Sequence, residues 1–189
     1  MKKIMFNEPY GLQNAVLKGR KTMTRRAVSQ RLMYANLMQM TLKDYLLLHA
    51  PYQLDDIVAI AQRYSELPKE LLYDSDDILK ISQTQFEKGW NNKMFVMAEL
   101  MPHHIRITDV KIEHLQNISN KDCLKEGVYE DYEEHGGIYT TEFYDYIGNK
   151  GDGFGTPFEA FASLIDAISG KGTWEKNPLV YVYEFELID

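Results

Sequence analysis

Apolar positions along this chain switch between a spacing of two and a spacing of three to four, and the switches mark out its elements. Lys3–Phe6 reads as a short strand. Asn7 is placed to cap a helix and Pro9 to fill its first turn, with Leu12, Ala15 and Val16 on one face and Gly19 as a left-handed stop. Lys21–Arg26 carries threonines in an alternating pattern, which predicts a strand. Over 28–49, Leu32, Met33, Leu37, Met40, Leu42, Tyr45 and Leu46 recur at helical spacing, and Thr41 with Asp44 signals an N-cap. Two helices are expected there, ending before Pro51. Asp56–Gln62 predicts a buried strand, and 66–90 an acidic helical stretch broken near Tyr73–Asp76.

In the second half, Met94–Met101 and Ile105–His114 give the strongest strand signals, the latter with a one-residue slip that suggests a bulge. Ser119 and Asp122 frame a short helix ending at Gly127. Residues 129–155 are acidic, aromatic and glycine-rich, and are expected to be a long loop or irregular insert. Thr156-Pro157-Phe158-Glu159 combines an N-cap, a first-turn proline and a capping-box acid. Phe158, Phe161, Ala162, Ile165 and Ile168 follow on one helical face, and Gly170 closes it. Leu179–Leu187 alternates as a final strand. Helices set between strands predict an α+β protein whose sheet closes into a small barrel. One domain over 1–189 is expected, with a helical insert at about 28–50 and an irregular insert at about 129–155.

Composition adds bounds. At 44% apolar and 26% charged, the 189 residues suffice for one buried core. Apolar runs such as Phe95–Ala98 are far too short to span a bilayer, and Met1–Asn7 lacks the apolar stretch of a secretory signal. Cys123 is the sole cysteine, which fits a reducing, cytoplasmic setting. A net charge of −7 argues against a sequence-blind binder of long nucleic acid. The charge is uneven, however. Lys18, Arg20, Lys21, Arg25, Arg26 and Arg31 put +6 into residues 18–31 without one acid, leaving −13 elsewhere. Such a patch focuses a small anionic ligand on an acidic body and discourages loose polyanion binding; it also fits a merely solvated face.

Three segments together resemble the ASCH family, a branch of the PUA-like superfamily. They are Gly19-Arg20-Lys21-Thr22-Met23-Thr24-Arg25-Arg26 after a helix; Ile107-Thr108-Asp109-Val110 through Leu115, Ile118, Ser119 and Lys125-Glu126-Gly127-Val128; and Phe161–Ile168 followed by Asn177–Phe185. Their order is similar to that of the longer, phage-associated members, over about half the chain. Asp55-Asp56 stands where members often have Gly-Asp, and Gln62 where many have glutamate. The resemblance implies a PUA-like β-barrel of ASCH type with inserted helices, and binding of RNA, DNA or a modified nucleoside. It also implies an enzymatic alternative. In the N4-acetylcytidine amidohydrolases, a proposed lysine, threonine and glutamate match Lys21, Thr24 and Glu126.

Amide hydrolysis needs an activated nucleophile, a base and a proton donor for the leaving amine. The Thr24 hydroxyl attacks only once a base takes its proton, and Lys21 serves as that base only if burial or the cations Arg20, Arg25 and Arg26 lower its pKa. Residues three apart on a strand face opposite ways, so Lys21 and Thr24 converge only if Lys21 sits in the turn after Gly19 or a bulge intervenes. Glu126 at a helix C-terminus opposes the helix dipole, which favours a role other than stabilising the helix. For binding, Arg20, Thr22, Arg25 and Arg26 are the candidates, with Trp174, in a loop with Gly172, Lys176 and Asn177, preferred over Trp90 for stacking a base. His103-His104, Cys123 and His135 do not make a metal pattern, and no cofactor is expected. Gly151–Gly155 lacks the lysine of a P-loop and is expected to be a flexible loop. A third alternative is a phage-derived adaptor that binds a protein partner through 28–50.

Overall fold

A computed structural model describes residues 1–29, 32, 41–68, 71, 83–135 and 138–189. They form an α+β arrangement. Strands β1 (Lys2–Ile4), β2 (Met23–Ala27), β3 (Ile57–Ile60), β4 (His104–His114) and β7 (Leu179–Leu187) neighbour one another in the order β1-β3-β4-β7-β2. Strands β5 (Tyr129–His135) and β6 (Ile138–Asp145) form a separate pair. The helices are α1 (Leu12–Leu17), α2 (Leu42–Leu48), α3 (Gln83–Asn91), α4 (Asn120–Lys125), α5 (Pro157–Ser169) and α6 (Thr173–Lys176). None among the described residues is long and apolar enough to cross a membrane. The chain divides into two compact units, one of Met1–Phe6, Asp55–Arg106 and Leu187–Asp189, the other of Asn7–Leu54 and Ile107–Glu186.

In the first unit β3 is central. It pairs in parallel with β1, Lys2 opposite Val58 and Ile4 opposite Ile60, and antiparallel with the start of β4, Ala59 opposite His104. Val58, Ala59 and Ile60 are all fully buried, so both faces of β3 are covered, which explains its continuous apolar run. Tyr64 anchors the core with Ala59, Leu67, Val96, Ala98 and Met101. Phe86 of α3 stacks on the Tyr64 ring at 5.5 Å. Gly89 makes this packing possible, since a Cβ there would lie 2.4 Å from the ring.

The strand expected over Met94–Met101 is absent; two 3-10 turns, Lys93–Phe95 and Ala98–Leu100, take its place. Side chains there satisfy backbone groups that a strand would give to a neighbour. The Asn92 carboxamide accepts from the Met94 N–H (3.0 Å), and the Met97 N–H donates to the Tyr64 hydroxyl (2.9 Å). The Lys3 ammonium donates to the carbonyls of Met94 (2.7 Å) and Val96 (2.5 Å). Of the helical stretch expected over 66–90, α3 covers the end, and most of the remainder, with the break near 73–76, lies outside the described residues.

In the second unit β2 runs antiparallel to β7, Thr24 opposite Tyr183 and Arg26 opposite Tyr181. Helix α1 starts later than expected. Pro9 lies in a preceding turn, with Asn7 before it, and Gly11, at φ 64°, is the N-cap. A Cβ on Gly11 would strike Ile147 at 2.4 Å. Gly19 ends the helix at φ 68°, as expected. Thr41 caps α2, accepting from the Asp44 N–H at 3.1 Å; the other helix expected within 28–49 falls mostly outside the described residues. Ser119 caps α4 and Thr156 caps α5 in the same way.

Part of the expected irregular insert is a β-hairpin. Strands β5 and β6 pair from Tyr129 with Asp145 to His135 with Ile138, with a register shift at Glu133/Glu134. Two alternating runs separated by Gly136-Gly137 carry the sequence signal for this. Phe154 then returns to β6, exchanging both main-chain hydrogen bonds with Tyr144 (2.9 and 2.8 Å).

Candidate functional site

The turn after Gly19 delivers Lys21 to the end of α4. There its ammonium donates to the Glu126 carboxylate (Oε2, 2.6 Å) and to the Glu126 main-chain carbonyl (2.7 Å). Both side chains are buried, Lys21 being 2% and Glu126 4% exposed. The second carboxylate oxygen accepts from Arg25 (Nη1, 3.0 Å), whose other arm donates to Glu113 (2.7 Å) and lies 3.9 Å from Asp122. The chain thus builds a buried network of alternating charge from the turn after α1, strands β2 and β4, and α4.

This network answers the dipole objection to Glu126. The Lys21 cation sits at the C-terminal end of α4, where a positive charge is favourable, and it compensates the carboxylate held there. Gly127 makes room. Its φ is 112°, and a Cβ on it would lie 2.7 Å from Leu12 and 3.8 Å from the Lys21 side chain. Burial pushes the Lys21 amine below the ordinary lysine range; the charge and hydrogen bond of Glu126 oppose the shift, and Arg26 and Arg25 add to it. Burial also pushes the neighbouring Cys123 thiol up to about 12, so it is unreactive at neutral pH.

Thr24 belongs to the other side of β2. Side chains alternate across a strand, so Met23 and Arg25 share one face, and Thr24 and Arg26 share the opposite face with their cross-strand partners Tyr183 and Tyr181. Among the described residues the Thr24 hydroxyl makes no hydrogen bond to Lys21 or Glu126. Its face is aromatic. The Tyr181 and Tyr183 rings lie 6.0 Å apart at 29°, and the Tyr52 ring meets Tyr183 edge-on at 5.2 Å. Tyr181 is 2% and Tyr183 0% exposed; the Tyr181 hydroxyl has no hydrogen-bond partner among the described residues, and the Tyr183 hydroxyl has the Tyr52 main chain beside it. Burial pushes both phenols above the usual tyrosine range, so both stay protonated at neutral pH. For Tyr183 the nearby Tyr52 main chain and Arg26 pull the other way without reversing the shift.

The structure therefore brings Lys21 and Glu126 together and assigns Thr24 to the opposite face. Arg25 joins the buried network, Arg26 is half-buried beside the tyrosines, and Arg20 is exposed. Thr22 is engaged through its main chain, donating to the Lys125 carbonyl and accepting from the Phe185 N–H. Trp174 packs edge-on against Phe158 (4.8 Å) and Phe161 (6.1 Å), and its main-chain N–H donates to Asp166. His103 and His104 both turn a ring nitrogen to Asp189. Among the described residues no three His, Cys, Asp or Glu side chains gather as a metal site. Sequence reasoning missed Glu113 and Asp122 as partners of Arg25, and missed Tyr52, Tyr181 and Tyr183. The alternation of Tyr181 and Tyr183 with valines was the available signal for the last two. Compared with known proteins, the chain matches no protein-family model, no curated protein and no solved structure.

Proposed function

We propose that the protein is a nucleobase- or nucleic-acid-binding module of ASCH type, working through the Thr24–Arg26 side of β2. The observation that carries this is the partition of the cationic segment. Lys21 and Arg25 pair with Glu126 and Glu113, and Thr24 and Arg26 lie on the other face of β2 with buried tyrosines. A cation and hydroxyls set among aromatic rings suit a flat ligand with polar edges, as a base is, better than a phosphate backbone. The motif strand β2 lies beside the final strand β7; among the described residues no pairing of β1 with β2 closes the sheet, and a PUA-like barrel is part of the same proposal. Titration calorimetry of the full chain with nucleosides and with single-stranded RNA tests it. Binding of at least one is expected, and binding of neither rejects the proposal.

One observation favours hydrolysis of an N-acylated nucleoside as a second reading. Lys21 has a buried amine with a lowered pKa in direct contact with a carboxylate, a pairing suited to proton transfer. Incubation with N4-acetylcytidine, followed by chromatography, distinguishes the two. Product that disappears in both Lys21→Arg and Thr24→Val supports the enzyme; bound but unchanged nucleoside leaves the binding module.

A further inference from the structure

We infer that the cavity between α2, the end of β4 and the start of β7 is a second binding site, and that it takes a small amphiphile with an aliphatic body and one carboxylate. The inference does not rest on base binding and goes beyond it.

The cavity lies wholly within the second unit and measures about 420 Å³. Small-molecule sites run from roughly 300 to 1,000 Å³ and combine apolar walls with a few polar groups. Here Leu42 and Leu46 of α2, Ile112 of β4 and Leu179 of β7 supply aliphatic walls, and Lys43 and Asn117 supply polar groups. The walls favour an apolar body, which gains burial and dispersion against them. His114 is the one ring among the described lining residues, so a stacked base gains little there. The polar groups decide the head. Among the described residues Lys43 has no ion pair and the Asn117 carboxamide no hydrogen bond, so an ammonium and an amide N–H are left to donate. The nearby acids are already engaged. Asp44 accepts from the Thr41 hydroxyl (2.5 Å), and Glu113, which also lines the cavity, accepts from Arg25 (2.7 Å) and lies 3.7 Å from Lys111. The Nδ1–H of His114 donates to the Asn177 carbonyl (3.0 Å). The charge left over is therefore positive, and an anionic head complements it. Lys43 is exposed, so the head stays hydrated at the mouth while the body enters the cavity. A carboxylate suits a single ammonium better than a phosphate, which brings nearly two negative charges.

Calorimetry and thermal unfolding of the full chain test this with octanoate, 1-octanol and octyl phosphate as probes. Octanoate is expected to bind once per chain and to raise the unfolding temperature. The alcohol, with the same body and no charge, is expected to bind at least roughly threefold more weakly, and the phosphate no tighter than octanoate. Lys43→Gln is expected to lose at least roughly threefold in octanoate affinity and to leave the alcohol unaffected. Ile112→Phe puts a ring into the wall and is expected to weaken octanoate at least roughly tenfold. Leu179→Phe serves if unfolding without ligand shows that Ile112→Phe does not fold. An alcohol that matches octanoate, a phosphate that binds tighter, or a Lys43→Gln variant that binds octanoate like wild type overturns the choice of a carboxylate. A folded wall variant that binds octanoate like wild type places the ligand elsewhere and overturns the site. Silence from every amphiphile overturns the inference and leaves base binding, which is tested with other probes, standing.

Discussion

The Lys21 ammonium lies 2.6 Å from the Glu126 carboxylate and 2.7 Å from the main-chain carbonyl of the same residue, in a place that water scarcely reaches. One side chain therefore compensates a buried charge and caps a helix. Removing either partner leaves the other buried without compensation, which typically costs about 3–5 kcal/mol, whereas replacing both with apolar groups of similar volume is often neutral. Glu126→Gln and Lys21→Met are each expected to lower the urea midpoint sharply. Lys21→Met/Glu126→Leu should recover part of the loss, although Arg25 then lacks one partner. Single variants that unfold like wild type would show that the pair contributes nothing to the fold.

Two left-handed glycines near this pair make a second, contrasting prediction. A Cβ on Gly19, at φ 68°, meets nothing within 4 Å, so Gly19→Ala carries backbone strain alone, about 1–2 kcal/mol. A Cβ on Gly127, at φ 112°, would collide with Leu12 at 2.7 Å. Gly127→Ala is therefore expected to cost clearly more than Gly19→Ala and to disturb the Lys21 contact. Urea denaturation of the two variants side by side gives the order; the reverse order would contradict the packing described.

Several elements were legible in the sequence because one local rule set each of them. Thr41, Ser119 and Thr156 cap the helices they were expected to cap, and Gly19 ends α1. Where long-range contacts decide, the pattern misled. Met94–Met101 has the composition of a strand, but a lysine 91 residues away takes the Met94 carbonyl. The Lys21–Glu126 pairing was legible only through family resemblance, since 105 residues separate the partners and no periodicity links them. Tyr181 and Tyr183 were read as strand formers because alternation gives a side chain's face but not whether its hydroxyl finds a partner.

Alkaline stability separates the tyrosines from Lys21. Burial raises the phenols of Tyr52, Tyr64, Tyr181 and Tyr183, so above about pH 10 the unfolded chain loses protons that the folded chain keeps. Their contribution is fully present below that pH and is lost as pH rises through it. Lys21 acts in the opposite sense. Its lowered pKa means the unfolded chain holds its proton longer, so stability from this group rises between the folded value and about pH 10.4. Raised phenols, these four with Tyr129, Tyr132 and Tyr144, outnumber the lowered amines of Lys21 and Lys3, so urea midpoints are expected to drop above about pH 10. Tyr183→Phe should flatten that drop. An unchanged slope in the variant would mean that Tyr183 ionises as readily in the folded chain as in the unfolded one.

Arg25 and Arg26 are neighbours in sequence with opposite expected consequences. Arg25 is buried between Glu113 and Glu126, so Arg25→Ala leaves two carboxylates short of a cation and should cost about 3–5 kcal/mol of stability. Arg26 is half-buried on the tyrosine face, so Arg26→Ala should lower the urea midpoint less than Arg25→Ala does while weakening base binding roughly tenfold. Salt dependence provides a further check. Six phosphate contacts from the cationic segment would give a log–log slope of roughly 4 on single-stranded RNA. With Lys21 and Arg25 held by carboxylates, Lys18 and Arg20 are the exposed cations among the described residues of that segment, which limits the slope to about 1.4. A slope near 4, or equal losses of stability in the two arginine variants, would mean that both guanidiniums face the ligand and that the division of β2 into a locked face and a binding face is wrong.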